Sequence, residues 1–179
     1  MSLVSQLKDA ERIALSAQQI HQITKGRCTP MAYHNLHSIT NINQLFERTP
    51  NVMLLYETKQ DFGHWVLLSK LDNRTIRFFD PYGLGIDEEL KLATYNRRIH
   101  NNQIVPHLTH LLQQSTYNVE VNKTRYQKVL SHVNTCGRWT SVRALFSDLD
   151  AEKFKQLMLD NRYYDGDVWV TALTITYSL

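Results

Sequence analysis

The chain has 179 residues, 42% of them hydrophobic, and a formal net charge of +3, which is enough apolar material for one core and too little length for two sizeable domains. Its two cysteines, Cys28 and Cys136, are too few for a disulfide framework. No basic-then-apolar leader opens it, and no apolar run approaches the roughly 20 residues that span a bilayer. One soluble domain over residues 1–179 in a reducing compartment is expected, with a mild positive charge that permits contact with nucleic acid without demanding it.

Val4, Leu7, Ala10, Ile13 or Ala14, Ala17 and Ile20 recur at helical spacing, and Gly26 stands where a C-terminal stop would fall, so residues 3–23 predict one amphipathic helix packed on a sheet. Thr29-Pro30 reads as a cap with proline at the first helical position, and Asn41–Phe46 as a short helix before a turn at Thr49-Pro50-Asn51. The densest strand signal follows in Val52–Tyr56, His64–Leu68 and Thr75–Phe79, joined by short polar links containing Gly63 and Asp72-Asn73. This spacing predicts an antiparallel meander, closed by a turn at Asp80-Pro81-Tyr82-Gly83.

Residues 87–115 predict one or two helices, with Pro106 at a start and Leu108, Leu111 and Leu112 on a buried face, and Tyr117–Val121 predicts a further strand. Another helix begins near Cys136, its apolar face made of Trp139, Val142, Leu145 or Phe146, and Leu149. Asp150 caps a helix carrying Phe154, Leu157 and Met158, while Asp165 to Tyr177 fits helix and strand equally. The fold class is α+β, a mostly antiparallel central sheet with surrounding helices.

Cys136 at a helix start is placed for reactivity, because the open N–H groups and positive dipole end of a helix stabilise a thiolate. Gly137 beside it lets other backbone or a substrate come close. A cysteine hydrolase also needs a histidine to exchange the proton and a group to hold that histidine. His64 begins the second strand of the meander and Asp80 ends the third, so pairing of the two strands brings both side chains to one sheet edge. Trp65, next to His64, would shield the pair from water. An oxyanion donor is also needed; Gln127, nine residues before Cys136, is favoured over Asn134, two before it.

In chain order, Gly63-His64-Trp65-Val66, Phe78-Phe79-Asp80-Pro81-Tyr82-Gly83, Tyr126-Gln127 and Thr135-Cys136-Gly137-Arg138 resemble the signature of the adenovirus-type and SUMO-specific cysteine proteases over residues 50–149. They look most like the maturation proteases of adenoviruses, large DNA viruses, virophages and Polinton-like elements. The resemblance implies a papain-like core in reversed chain order. It makes His64 the general base and acid, Asp80 its orienter, Cys136 the nucleophile and Gln127 the oxyanion donor. It further implies a covered cleft in which Trp65 and Gly137 bind a substrate backbone that is small, chiefly glycine, next to the cut bond. The adenovirus enzymes carry Glu where Asp80 stands, and the interval from Gln127 to Cys136 is longer than usual.

On this reading the chain is a single catalytic domain, a monomeric endopeptidase that cuts capsid or core precursors in the virion or at the site of assembly, in host cytoplasm, virus factory or nucleus. No cofactor is required, although the resemblance implies activation by viral DNA or a peptide. Lys123, Arg125, Lys128, Arg138 and Arg143 cluster in sequence where phosphate contacts would fall, and Cys28 is a candidate redox attachment point for an activator. His34/His37 and His107/His110 have ligand spacing but lack further ligands beside them, so no metal is expected. The alternatives are a deconjugase for ubiquitin-like modifiers and a catalytically inactive binding relative.

Overall fold

The computed structural model describes residues 2–160 and 164–175. In chain order the elements are α1 (Leu3–Ala10), α2 (Ala17–Ile23), β1 (Cys28–Ala32), β2 (Asn51–Lys59), β3 (Phe62–Lys70), β4 (Thr75–Phe79), α3 (Tyr95–His100), α4 (His107–Gln113), β5 (Asn118–Val121), α5 (Cys136–Leu145), α6 (Ala151–Leu159) and α7 (Gly166–Thr174). Short 3₁₀ helices lie at Tyr33–Ser38, Ile42–Phe46 and Glu88–Leu92.

The fold is α+β around one five-stranded sheet in the order β1-β2-β3-β4-β5. Its centre is the expected antiparallel meander, β2 on β3 on β4. The edges make the sheet mixed, because β1 joins β2 and β5 joins β4 in parallel. Both faces are covered, which is why β2 reads as a continuous apolar run and not as an alternation. Met53, Leu55, Trp65, Leu67 and Phe79 meet α2, α5, α6 and α7 on one side. Val52, Leu54, Tyr56, Val66, Leu68 and Phe78 meet the 3₁₀ segments and α4 on the other.

Three local expectations change. The helix expected over residues 3–23 is two, because Ser16 and Gln19 form a capping box that starts α2 anew. The residues between them are held elsewhere: Leu15 is buried in the core, and the Glu11 and Arg12 carbonyls accept from Asn134. Thr29-Pro30 caps no helix and lies within β1. An edge strand tolerates a residue with no N–H, so Pro30 fits there without breaking an internal ladder. The segment from Asp165 resolves as the helix α7, capped by the Asp165 carboxylate; the last residues of that ambiguous stretch, 176 and 177, lie outside the described residues.

Helix α5 departs from an amphipathic pattern in a way that matters for the site. Every residue from Cys136 to Ala144 is buried, Arg138 and Arg143 included, so the helix runs through the protein and not over it. Such a helix is a rigid mount for its first residue. Gly166 permits the crossing of α7 over it, since a Cβ there would stand 2.9 Å from the Trp139 ring.

Candidate active site

Gly63 explains the first motif. A Cβ at this position would lie 1.9 Å from the Tyr56 carbonyl oxygen, so only glycine lets β3 enter beside β2 at the irregular Glu57/Lys59 register. The next residue, His64, is thereby fixed at the sheet end, and the Gly63 carbonyl oxygen lies 3.9 Å from the Cys136 sulfur. His64 Nε2 and Asp80 Oδ1 are 2.5 Å apart. The other ring nitrogen is left free of Asp80, and Cys136, the first residue of α5, is near enough to act on the imidazole's charge.

The structure therefore brings His64, Asp80 and Cys136 together in one row, with the imidazole hydrogen-bonded to Asp80 and the sulfur beside the Gly63 carbonyl. They are 3%, 0% and 5% exposed respectively, so the row sits in a low-dielectric environment. Burial alone would push the His64 imidazole down, yet the hydrogen bonds and charges of Asp80 and Cys136 outweigh it and raise it to about 10. An imidazolium facing sulfur is the state a thiolate nucleophile requires.

Asp80 is both a turn residue and the histidine's partner. Its carboxylate accepts from the Tyr82 and Leu84 N–H groups at 3.0 and 2.7 Å as well as from His64. Asn122, in the loop after β5, brackets its backbone, accepting from Asp80 N at 2.7 Å and donating to Asp80 O at 2.9 Å. Gly83, at φ 73°, completes the turn. The β3–β4 register, continued past the strand end, sets Tyr82 opposite His64, and the two rings stack at 4.2 Å and 9°. Stacking of this kind contributes roughly 1 kcal/mol beyond area burial and holds the imidazole plane. Neither Asn122 nor the stacking role of Tyr82 was read from the sequence, although Tyr82 lies inside the quoted motif.

Of the two oxyanion candidates, Gln127 belongs to this cluster and Asn134 does not. The Gln127 amide donates to Val133 O at 3.0 Å and reaches the Tyr82 hydroxyl at 3.5 Å, so one N–H is firmly held and the other only loosely. The Asn134 amide donates to Arg12 O at 2.7 Å, away from the row.

Trp65 and Gly137 are placed differently from an open substrate cleft. Trp65 is buried, its indole N–H donates to Leu15 O at 3.2 Å, and a Cβ on Gly137 would lie 3.2 Å from both Leu15 and the Trp65 ring. The close approach that Gly137 allows is taken up by the chain's own Leu15 and Trp65. A groove of about 180 Å³, bordered by Lys8, Arg12, Lys128, Leu130 and Val133, opens beside the loop that leads to Cys136.

The basic cluster disperses. Arg138 donates to Thr174 Oγ1 and Ala10 O, Arg143 to the Phe146 and Leu149 carbonyls, and Lys128 pairs with Asp165 at 3.0 Å. The two buried arginines serve packing and loop carbonyls, which removes them from any phosphate-binding face. Cys28 is buried in the core and burial pushes its thiol up to about 12, which overturns its reading as an attachment point for an activator.

One buried acid stands behind the row. Glu89, in the Glu88–Leu92 turn, has both carboxyl oxygens buried with no hydrogen-bond partner among the described residues. Burial, then the Asp80 charge, pushes it from an ordinary 4.5 up to about 9. A neutral acid there spares His64 and Asp80 a second buried negative charge. Because its folded-state value is raised, the folded protein keeps a proton that the unfolded chain releases above 4.5, and folding weakens as pH climbs from there to about 9. Glu89→Gln is expected to melt at least ~4 °C above wild type at about pH 8 and to close that gap near pH 5. Calorimetry giving the same difference at both pH values would refute the neutral acid.

Comparison with known proteins gives a clear relative. The chain is 33% identical over 175 residues to the "Uncharacterized protein V9" of the Sputnik virophage, an alignment covering 96% of this chain and 100% of that protein. Among solved structures, the central domain of the uncharacterized Lpg1148 protein from Legionella pneumophila aligns with 92% of this chain and 95% of its own, at 16% identity and a TM-score of 0.40. No protein-family model matches. No helix among the described residues is long and apolar enough to cross a membrane.

Proposed function

The chain belongs to the family of protein V9 of the Sputnik virophage, and so to a family with a viral member, and we propose that it is a cysteine endopeptidase that cuts capsid or core precursors during virion maturation. The observation that carries this reading is the buried row in which His64 bonds Asp80 and the helix-mounted Cys136 lies beside Gly63 and acts on the imidazole. The residues have the types, order and contacts that thiol-based acyl transfer needs.

In this mechanism His64 takes the Cys136 proton, and the thiolate attacks the scissile carbonyl carbon. The resulting oxyanion is held by the loosely bonded N–H of Gln127 and by the backbone N–H groups at the start of α5. The imidazolium gives its proton to the leaving amine as the C–N bond breaks. Water, deprotonated by His64, then attacks the thioester and frees the new carboxylate and the thiol. Asp80 fixes the imidazole throughout, and Tyr82 keeps its plane.

The burial of Cys136 and His64 leaves little room beside the sulfur, which favours substrates with no Cβ next to the cut bond, and the groove beside the Val133 loop offers room for flanking residues. Peptides carrying Gly before the scissile bond are expected to be cut at least ~30-fold faster than Leu peptides, with Trp65→Ala narrowing the ratio. Equal rates for Gly and Leu would remove the covered-site argument. Incubating the protein with capsid precursors and with ubiquitin-like conjugates in parallel tests the substrate class. Cleavage of the conjugates alone would make it a deconjugase, and no cleavage of either, with ordinary thiol reactivity, an inactive relative.

A further inference from the structure

Asp167 lies in the first turn of α7, fully inside the protein, and no motif or periodicity in the sequence marks it. Its Oδ1 accepts from the Thr135 hydroxyl at 2.5 Å and from the Trp139 indole N–H at 2.9 Å, and its Oδ2 accepts from the Lys128 backbone N–H at 3.0 Å. Thr135 immediately precedes Cys136, Trp139 is one turn into the same helix, and Lys128 immediately follows Gln127. One buried carboxylate thus ties the mount of the sulfur to the chain that carries the oxyanion amide.

The segment between those two points needs such a tie. Val129 and Leu130 at its outer part are 58% and 49% exposed, so apart from the Gln127 amide's bond to Val133 O little there fixes the Lys128 end against the helix start. The Lys128 ammonium pairs with Asp165 and not with Asp167, so the Asp167 carboxylate is held by the three hydrogen bonds that join the two segments. A buried charge is costly unless its bonds are kept, which makes this spacing stiff.

The same carboxylate sets the chemistry of the helix end. Ser2, Ser16, Asp150 and Asp165 each cap their own helix by accepting from first-turn N–H groups. Thr135, at the corresponding position of α5, makes no such bond, its hydroxyl being drawn to Asp167. The first-turn amides of α5 are left for sulfur and oxyanion.

We propose that Asp167 is a positioning residue that holds the Gln127 amide and the Cys136 sulfur in register, an inference that rests on the peptidase reading. Asp167→Asn separates its two arms. The amide oxygen still accepts from Thr135 and Trp139, while the new NH₂ faces the Lys128 N–H and pushes the Gln127 side away. With Gly-containing peptides, kcat per titrated Cys136 is expected to fall about 10- to 100-fold, a fraction of what losing an oxyanion donor outright costs. KM and the rate of Cys136 alkylation by iodoacetamide, which forms no oxyanion, stay within ~3-fold of wild type.

An unchanged kcat per titrated site overturns the proposal and leaves Asp167 as a packing residue. Buried Cys28 reports folding in the same experiment: its labelling in Asp167→Asn marks unfolding and passes the decision to Thr135→Val, which removes a single donor. A wild-type kcat in Thr135→Val then overturns the proposal. Wild-type protein that neither cuts peptide nor alkylates at Cys136 faster than a free thiol overturns the peptidase reading itself, and the positioning role with it.

Discussion

Cys136→Ala is expected to lower peptide hydrolysis at least ~10⁴-fold, to the level left by binding alone, while the protein stays folded. The sulfur is the only atom lost, and it sits at the open end of a helix whose other residues are packed on all sides by the sheet, α2 and α7. The stability cost of so small a deletion is about 1 kcal/mol. Cys28→Ala provides the contrast, since it removes an equally buried sulfur from β1 and is expected to keep activity. Similar losses of stability with opposite effects on turnover would be read directly from melting curves and initial rates. A peptide inhibitor that labels Cys28, or hydrolysis surviving in Cys136→Ala, would end the assignment.

Asp80→Asn is expected to cost about 10²-fold or more in kcat and to move the alkaline limit of activity downward. Burial works against a charged His64, and Asp80 is the first of the groups that overcome it. With an amide in its place the burial penalty prevails, and the imidazolium gives up its proton well below the wild-type value of about 10. The sign for stability follows from the same raised value. The His64 contribution is complete below 6.5, and it is lost as pH rises through about 10 in wild type but not in the variant. The amide also sets a donor against the Tyr82 or Leu84 N–H, so some stability goes at every pH. Matching pH–rate profiles for the two proteins would reduce Asp80 to a turn residue.

The parts legible in the sequence are those written in local runs. The β2–β4 meander follows from three apolar segments with turn residues between them, and pairing of its last two strands is enough to bring His64 to Asp80. The start of α5 at Cys136 follows from the spacing of Trp139 and Val142. The parts missed depend on partners far along the chain. Nothing near Pro30 indicates that β2 will offer it a parallel edge, and nothing near Arg138 or Arg143 indicates that carbonyls of Ala10, Phe146 and Leu149 will take charges that look solvated. The interruption of residues 3–23 is marked locally by the Ser16 and Gln19 capping box, while the docking of Leu15 against Trp65 and Gly137 that accompanies it depends on distant residues. Asp167 resembles any residue near a helix start until Thr135, Trp139 and Lys128 surround it.

The start of α5 is tied down from two distant stretches of chain, the carbonyls of Ala10, Glu11 and Arg12, which meet Asn134 and Arg138, and Asp167, which meets Thr135 and Trp139. Contacts of such long sequence separation form late, because the loops they close must lose their freedom first. Synthesis runs from the N-terminus, so the sheet with His64 and Asp80 can form on the ribosome while the nucleophile's mount still lacks α7. A nascent chain carries the acid–base half of the site well before it carries a seated sulfur. Peptide-cutting activity, on the proposed reading, then reaches its full rate only once α7 has docked and Asp167 has met Thr135 and Trp139.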